Sequence, residues 1–257
     1  MVLMAAMTVS MLTGCETADG KKTEAPSSEN QAAAEVKAED EGKASEGGED
    51  YSYHWKLATT ESSDYYMTQL SQEFLDIVEE KTGGKVTGEV FASGQLGGLV
   101  DALEGLEMGN IDIVMDGVSS LSAVDDIFNV WCLPFLYDNK EHQYRFWDNH
   151  FDEVSDMVAE QSGFLVSVID GMNRELASTV PVESMADLKG LKIRVPNIPG
   201  YVRIWECLGA APIPMSLSEV YTSIQTGVVQ GQENDIALTL SLKFYEVAPY
   251  CVMTDHV

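Results

Sequence analysis

Along most of the chain, short stretches of alternating apolar residues give way to longer stretches in which apolar residues recur every three or four positions. In "KVTGEVF", Val86 and Val90 fall on one face, as in a strand. In "GLVDALEGLEMG", Leu99, Leu103 and Leu106 form one helical stripe that a glycine ends. Because strands that alternate with helices build βαβ units, the pattern predicts an α/β fold with a largely parallel, doubly wound sheet.

The same pattern assigns elements over residues 53–227. The predicted strands are 53–60, 85–91, 111–117, 164–170 and 191–196. The predicted helices are 64–84, 98–109, 139–163, 199–209 and 216–227. In the first of these helices we expect the core-facing stripe to be Tyr66, Leu70, Phe74, Ile77 and Val78.

An arginine stands inside the apolar strand "LKIRVP". If Leu191, Ile193 and Val195 point into a core, Arg194 lies on the opposite face together with Lys192. A solvated strand face is the simpler interpretation of such a residue. However, ligands of doubly wound sheets bind beyond the carboxyl ends of the strands, where this arginine lies. The position therefore favours a ligand contact.

The N-terminus has the features of a secretion signal. "MVLMAAMTVSMLTGC" is too short to span a bilayer as an ordinary helix, but it suits a signal peptide over residues 1–15. Leu-Thr-Gly-Cys resembles the lipobox of bacterial lipoproteins, which implies lipidation of Cys15. Residues 16–50 contain Val36 as their only large aliphatic residue and lack aromatic residues, so we expect a disordered acidic tether.

The composition excludes several classes of protein. A formal net charge of −27 and the lack of a Lys/Arg cluster beyond "GKK" argue against nucleic-acid binding. The four histidines are dispersed and predict no metal site or cofactor. Beyond the N-terminal cysteine, three cysteines remain, Cys132, Cys207 and Cys251. We expect buried free thiols, and one disulfide is the alternative.

Several spaced motifs together resemble one family. In order they are "SGQLGGLVDALEGLEMGNIDIVMDG", "LPFLYDNKEH", "ADLKGLKIRVPN", "MSLSEVYTSIQTGVVQGQEN" and "KFYEVAPY". This set resembles the solute-binding proteins of tripartite ATP-independent periplasmic (TRAP) transporters, of the dicarboxylate-binding DctP type. The resemblance begins near residue 53 and continues to the last residue. It implies a two-domain, periplasmic-binding-protein-like α/β fold with a ligand cleft between domains 51–172 and 173–257.

The resemblance also implies which residues contact the ligand. Arg194, in "LKIRVP", corresponds to the family arginine that pairs with the ligand carboxylate, for which its planar guanidinium is suited. Asn234, in "GQEN", is expected at the same carboxylate, and Arg174 corresponds to a second arginine. Asp116 is expected to contact a ligand hydroxyl or amine. Leu217 replaces an aromatic residue that packs over the ligand in many family members.

Other features of the resemblance set further expectations. Family members continue past "MTDHV" with elements that complete the first domain. Signal peptides begin with basic residues, and here no Lys or Arg precedes the apolar run. We therefore expect a fragment at both ends, with its C-terminal part missing. At the first strand, "KLATTESS" places Ala58 where relatives offer a polar contact. Tyr201, Trp205 and Tyr221 are expected to be core residues, and Glu233 has no partner that predicts catalysis.

The sequence thus predicts an extracytoplasmic receptor that performs no chemistry. We expect a monomer, lipid-anchored at the outer face of the bacterial cytoplasmic membrane or periplasmic, that captures a small organic acid and delivers it to a TRAP permease. One alternative is the binding protein of an ATP-driven importer. Another is a sensor that presents its bound solute to a receptor. An enzyme is disfavoured because no nucleophile–base or metal constellation stands in the sequence.

Overall fold

A computed structural model of the protein describes residues 2–7 and 51–256. The strands are β1 (Val2–Met7), β2 (Tyr53–Ala58), β3 (Val86–Phe91), β4 (Ile113–Gly117), β5 (Phe164–Ile169), β6 (Arg174–Ser178), β7 (Lys192–Val195), β8 (Ala211–Pro214), β9 (Gly231–Asp235) and β10 (Tyr250–Val252). The helices are α1 (Tyr66–Thr82), α2 (Leu99–Glu107), α3 (Lys140–Ser162), α4 (Pro199–Cys207), α5 (Val220–Gln225) and α6 (Ile236–Ser241). Short 3-10 turns cover Val118–Ala123, Asp126–Cys132, Met185–Leu188, Leu217–Glu219 and Phe244–Glu246.

The strands form two sheets, which confirms the α/β class. The first lobe, residues 2–7 and 53–169, contains the sheet ordered β3-β2-β4-β1-β5, and the second lobe, residues 174–252, contains the sheet ordered β10-β6-β9-β7-β8. Residues from 52 onward belong to one compact unit. The domain boundary near residue 172 therefore stays a prediction, although the chain changes sheet there.

The expectation of a largely parallel sheet is only partly correct. In the first lobe β2 runs parallel to β3 and β4, and in the second β7 runs parallel to β8 and β9. Strands β1, β6 and β10 pair antiparallel with their neighbours. Strand β6 follows β5 without an intervening helix, so no βαβ crossover fixes its direction.

Strand β1 lies between β4 and β5, with Val2 opposite Gly117 on one side and Ile169 on the other. These residues belong to the segment that the sequence predicts to be a cleavable leader. Cys15 and the predicted tether 16–50 lie outside the described residues. The leader, the lipidation and the tether therefore stay predictions.

Helix α1 buries a different face from the one predicted. Its buried positions are Met67, Thr68, Ser71 and Leu75, which recur at helical spacing. The expected core residues Leu70, Phe74 and Ile77 are instead exposed. The stripe through Met67 and Leu75 packs against Leu57 of β2 and Met115 of β4. Because only one side of a helix can pack against a sheet, the opposite stripe stays exposed.

The chain crosses back to the first lobe immediately after β9. Leu238 of α6 is buried in the cluster that contains Leu57 of β2 and Met67 of α1. Asp235, the last residue of β9, accepts a hydrogen bond from the Leu238 backbone nitrogen at 2.7 Å and so caps α6. The end of β9 is therefore fixed to both lobes.

Strand β9, "GQEND", is buried at all five positions although four of them are polar. Gln232 donates to Thr239 at 3.0 Å, and the other polar side chains also have partners, described below. Gly231 begins the strand where it passes close to β6. A Cβ atom at Gly231 would lie 2.6 Å from the Ala177 carbonyl oxygen, which is backbone and cannot rotate away.

Gly231→Ala is therefore expected to lower the free energy of unfolding by about 1–3 kcal/mol, because overpacking a buried strand forces the backbone apart. Urea denaturation of the chain would measure this. Gly98→Ala is a matched control, since a Cβ there would meet only atoms at 3.6 Å or more. Equal stability of the two variants would contradict the close approach of β9 to β6.

The expectation of buried thiols is correct for Cys132 alone. Cys207 and Cys251 are exposed, and all three cysteines are free. Cys207 is the last residue of α4, and Cys251 lies on β10, at the edge of its sheet. A helix end and a sheet edge leave side chains open to solvent, which explains why Cys207 and Cys251 are exposed. Within the described ranges, no helix is long and apolar enough to cross a membrane.

Candidate ligand cleft

A cavity of about 580 Å³ lies between the two lobes, lined by residues of both. Its size is within the usual range for a small-molecule site. The loops that follow β2, β4 and β7 contribute to its walls, as expected for parallel strands. All five residues that the resemblance implied as ligand contacts line this cavity: Asp116, Arg174, Arg194, Leu217 and Asn234.

Arg194 reaches the cavity from the carboxyl end of β7. Leu191, Ile193 and Val195 are buried in the second lobe's core, as predicted, and Lys192 is exposed. Arg194 itself is 3% exposed, and its Nε donates to the Met215 carbonyl oxygen at 3.0 Å.

Across the described part of the chain, no carboxylate forms an ion pair with Arg194. Burial lowers the pKa of Arg194 to about 10, and the neighbouring Arg174 charge adds to this effect. The guanidinium is still protonated near neutral pH. The cavity thus contains a buried cation whose two Nη groups have no hydrogen-bond partner among residues 51–256, which favours the binding of an anion.

Arg174 is paired inside the protein. Its Nε lies 2.6 Å from Oε2 of Glu233, and its Nη2 donates to Oε1 and to the Glu233 carbonyl, each at 3.0 Å. Its guanidinium carbon lies 4.9 Å from the ring centre of Tyr201. Burial alone would lower the pKa of Arg174, but Glu233 raises it above its ordinary value.

Glu233 is fully buried and also faces His256, whose Nε2 lies 3.3 Å from Oε2. Burial would raise the pKa of Glu233, but Arg174 and His256 hold it below its ordinary value. The carboxylate therefore neutralises Arg174. Although Arg174 lines the cavity, its charge is paired with Glu233, whereas Arg194 has no ion-pair partner in the described part of the chain. The sequence did not reveal this difference.

Asn234 is 7% exposed on β9, where it lies opposite Glu175 of the neighbouring strand β6. Its Oδ1 accepts a hydrogen bond from the backbone nitrogen of Asp235 at 3.0 Å, and its Nδ2 has no hydrogen-bond partner among residues 51–256. Asp235 in turn accepts from the Tyr65 hydroxyl at 2.7 Å. This bond crosses from one lobe to the other. Asn234 therefore offers a donor from a strand end that both lobes hold in place.

Asp116 ends the apolar run of β4 in the first lobe. Its Oδ1 accepts from the Gly117 backbone at 2.7 Å and from the Ser120 hydroxyl at 2.5 Å. Burial raises the pKa of Asp116, and these two hydrogen bonds oppose the shift. Leu217 lies across the cavity wall and packs against the apolar clusters of both lobes.

Glu61 is a cavity residue that the sequence analysis missed. It follows β2 in "ATTESS", the stretch where Ala58 seemed to leave no polar contact. Its Oε2 is buried without a hydrogen-bond partner in the described structure. Burial, and after it the charges of Asp116 and Asp235, raises its pKa well above the ordinary value. The sequence did contain a signal for it, because an acidic residue just after a buried strand lies where ligands of such sheets bind.

In the portion of the chain that the structure covers, no group of three His, Cys, Asp or Glu side chains is arranged to hold a metal ion. Tyr201 and Trp205 are each 1% exposed, as predicted, and Tyr201 also lines the cavity, where its hydroxyl lies 3.0 Å from Ser119 Oγ. The arrangement is suited to holding an anion between two lobes.

The two lobes and the cleft between them are features of a periplasmic solute-binding fold, and comparisons with known proteins agree. Residues 57–257 match the family described as bacterial extracellular solute-binding protein, family 7 (DctP), and the chain belongs to this family. A solute-binding protein of Roseobacter denitrificans is 36% identical over 178 residues, which are 68% of this chain and 54% of that protein. The 2,3-diketo-L-gulonate-binding periplasmic protein YiaO of Escherichia coli is 32% identical over 72% of this chain and 57% of its own length.

Solved structures show the same fold. A TRAP periplasmic solute-binding protein of Roseobacter denitrificans with bound L-galactonate superposes with a TM-score of 0.75 at 31% identity, covering 81% of this chain and 70% of that one. These relatives are binding proteins rather than enzymes. The chain spans a little over half the length of the curated relatives it matches.

Proposed function

We propose that the chain is the solute-binding receptor of a TRAP transporter and that it captures a small organic acid by its carboxylate. The observation that carries this proposal is Arg194, a buried cation that lines the cleft without an ion-pair partner in the described structure. A ligand carboxylate would supply the missing charge through two parallel hydrogen bonds. Asn234 Nδ2 would donate to the same carboxylate.

Relatives support an acid ligand. The Roseobacter denitrificans structure contains L-galactonate, and the Escherichia coli relative is named for 2,3-diketo-L-gulonate, both of which carry a carboxylate. The proposed receptor acts outside the cytoplasm as a monomer, anchored through Cys15, and hands its ligand to a membrane permease. A permease gene beside this one, rather than a transport ATPase gene, would support that partner.

A thermal-shift screen tests the receptor function. A ligand at 100 times its Kd stabilises a protein by about 2.7 kcal/mol. At roughly 2–4 °C per kcal/mol for a protein of this size, we expect a rise in Tm of several degrees with at least one organic acid. Neutral sugars and amines of similar size serve as controls. A folded chain whose Tm responds to no acid would contradict the proposal.

A further inference from the structure

A second groove, of about 770 Å³, runs between helix α3 and strand β5 of the first lobe. Its strand side consists of four consecutive residues, 167–170, at the end of β5. Successive side chains of a strand point to opposite faces of a sheet, so four in a row can line one groove only along the edge of the strand. The helix side includes one stripe of α3: Tyr144, Trp147, Asp148, Phe151 and Asp152.

Strand β5 is the last strand of the first lobe's sheet, and all six of its residues pair with β1. In an antiparallel pair, every second residue turns its N–H and C=O groups away from the partner strand. Within the described residues, no other strand pairs with these outward groups. The strand "FLVSVI" also lacks the proline or lysine with which proteins commonly block a sheet edge. This edge is therefore suited to pairing with an added strand.

The wall beside this edge is negatively charged. Asp170 is partly neutralised, because Lys140 Nζ lies 3.1 Å from it and the Tyr144 hydroxyl donates to it at 2.9 Å. Asp148 and Asp152 are exposed, and neither has an ion-pair or hydrogen-bond partner in the described part of the chain. They are four residues apart on α3 and so lie on one face of the helix. A strand added to β5 would pass beside two unpaired carboxylates.

These charges decide between possible occupants of the groove. A second copy of this chain would bring the same acids to the edge, and like charges across a strand pair are destabilising. Residues 16–50 of the chain itself are strongly acidic and are disfavoured for the same reason. A segment rich in Lys or Arg is favoured, since its ammonium or guanidinium groups would neutralise Asp148 and Asp152.

We propose that the groove between α3 and β5 is a docking site for an extended, positively charged peptide segment of another protein. The segment adds a strand to the edge of β5 through backbone hydrogen bonds. Its basic side chains lie beside Asp148 and Asp152, and their alkyl stems cover the rings of Tyr144 and Phe151. The inference is independent of the ligand cleft and of the acid that binds there.

Three heptapeptides, acetylated and amidated at their ends, test the docking site on the full chain. Lys-Val-Lys-Val-Lys-Val-Lys is basic and can extend as a strand. Lys-Val-Lys-Pro-Lys-Val-Lys has the same charge, but its proline interrupts strand pairing. Glu-Val-Glu-Val-Glu-Val-Glu can extend but is acidic. At low ionic strength, fluorescence anisotropy should show that the first binds about tenfold or more tightly than the other two. A preference below threefold over the proline peptide, or no binding, would overturn the proposal.

Hydrogen–deuterium exchange locates the bound peptide. The Lys-Val peptide should slow exchange of the outward-facing amides within residues 164–170 and leave β3, at the opposite edge of the sheet, unchanged. Protection confined to other segments would show general attraction to an acidic protein and would overturn the proposal. So would outward-facing amides that are already protected without peptide, because another occupant would then cover the edge.

A pair of double variants tests the charges. Asp148→Asn together with Asp152→Asn should weaken binding of the Lys-Val peptide about three- to tenfold. Glu79→Gln together with Glu80→Gln removes the same charge from an exposed part of α1 and is the matched control. The control should leave the affinity within twofold of wild type. Equal losses in the two double variants would overturn the proposal.

Discussion

Replacing Arg194 with alanine should weaken the binding of a carboxylate ligand by roughly thirty-fold to several-thousand-fold, which corresponds to about 2–5 kcal/mol. The effect is large because Arg194 is 3% exposed and is the cavity cation that no described carboxylate neutralises. Without it, a bound carboxylate would lose its buried counter-charge. Titration calorimetry with a ligand found by the thermal-shift screen would give the affinity ratio.

Two further variants complete this measurement. Arg194→Lys keeps the charge but loses the planar fork, so we expect an affinity between those of wild type and Arg194→Ala. Arg203→Ala removes an exposed arginine of α4 that pairs with Glu206 at 3.3 Å, and it should leave affinity unchanged. A change below threefold in Arg194→Ala would show that this arginine does not bind the carboxylate.

Glu233→Gln should lower the free energy of unfolding by about 3–5 kcal/mol. The substitution keeps the shape of the side chain but leaves Arg174 without its counter-charge. Glu233 is fully buried and holds Arg174 through two side-chain contacts of 2.6 and 3.0 Å. Urea denaturation at neutral pH would measure the loss. Glu206→Gln, in the exposed pair with Arg203, is the control and should cost less than about 1 kcal/mol.

The same residue predicts how stability depends on pH. The pKa of Glu233 is below its ordinary value in the folded protein, so its stabilising contribution is complete above the unfolded value of about 4.3. That contribution is lost as pH falls further, through the folded pKa. The wild type should therefore lose its stability advantage over Glu233→Gln in acid, so that the difference in free energy of unfolding shrinks as the pH falls. An advantage that is the same at pH 7 and at pH 3 would contradict this assignment.

Elements with clear apolar periodicity were predictable from the sequence. Strands β2, β4, β5 and β7 and helices α2, α3 and α4 lie where the pattern predicted them. In α1 the sequence predicted the helix but selected the wrong face, because the face that is buried includes Thr68 and Ser71 and is less apolar than the exposed one. Which stripe is buried depends on Leu57 and Met115 beneath it, and those contacts are distant in the sequence.

Strand β9 escaped prediction for a physical reason. Apolar periodicity detects strands whose buried side chains are apolar, whereas "GQEND" is buried because its polar side chains have specific partners. Those partners are far along the chain: Glu233 pairs with Arg174, 59 residues away, and Asp235 with Tyr65, 170 residues away. Only the folded chain brings such pairs together, so the strand and its pairs could not be read from local sequence.

The cleft was predictable in part. Arg194 could be placed by strand alternation and by its position before a proline, and family resemblance supplied Asp116, Arg174, Leu217 and Asn234. The structure brings all of them to one cavity. It adds that Glu233 neutralises Arg174, and it adds Glu61, whose importance comes from an unpaired buried oxygen that a sequence does not display.

The division of the cleft between the two sheets has a consequence for kinetics. The groups suited to a carboxylate, Arg194 and Asn234, lie in the second lobe, whereas the acids Glu61 and Asp116 lie in the first. A carboxylate ligand that enters between separated lobes would form its charged contact with Arg194 first, and its contacts with the first lobe would form only as the lobes meet. The association rate should then follow ionic strength, whereas the lifetime of the complex is set by the acids of the first lobe. One cleft would thus separate speed of capture from strength of retention.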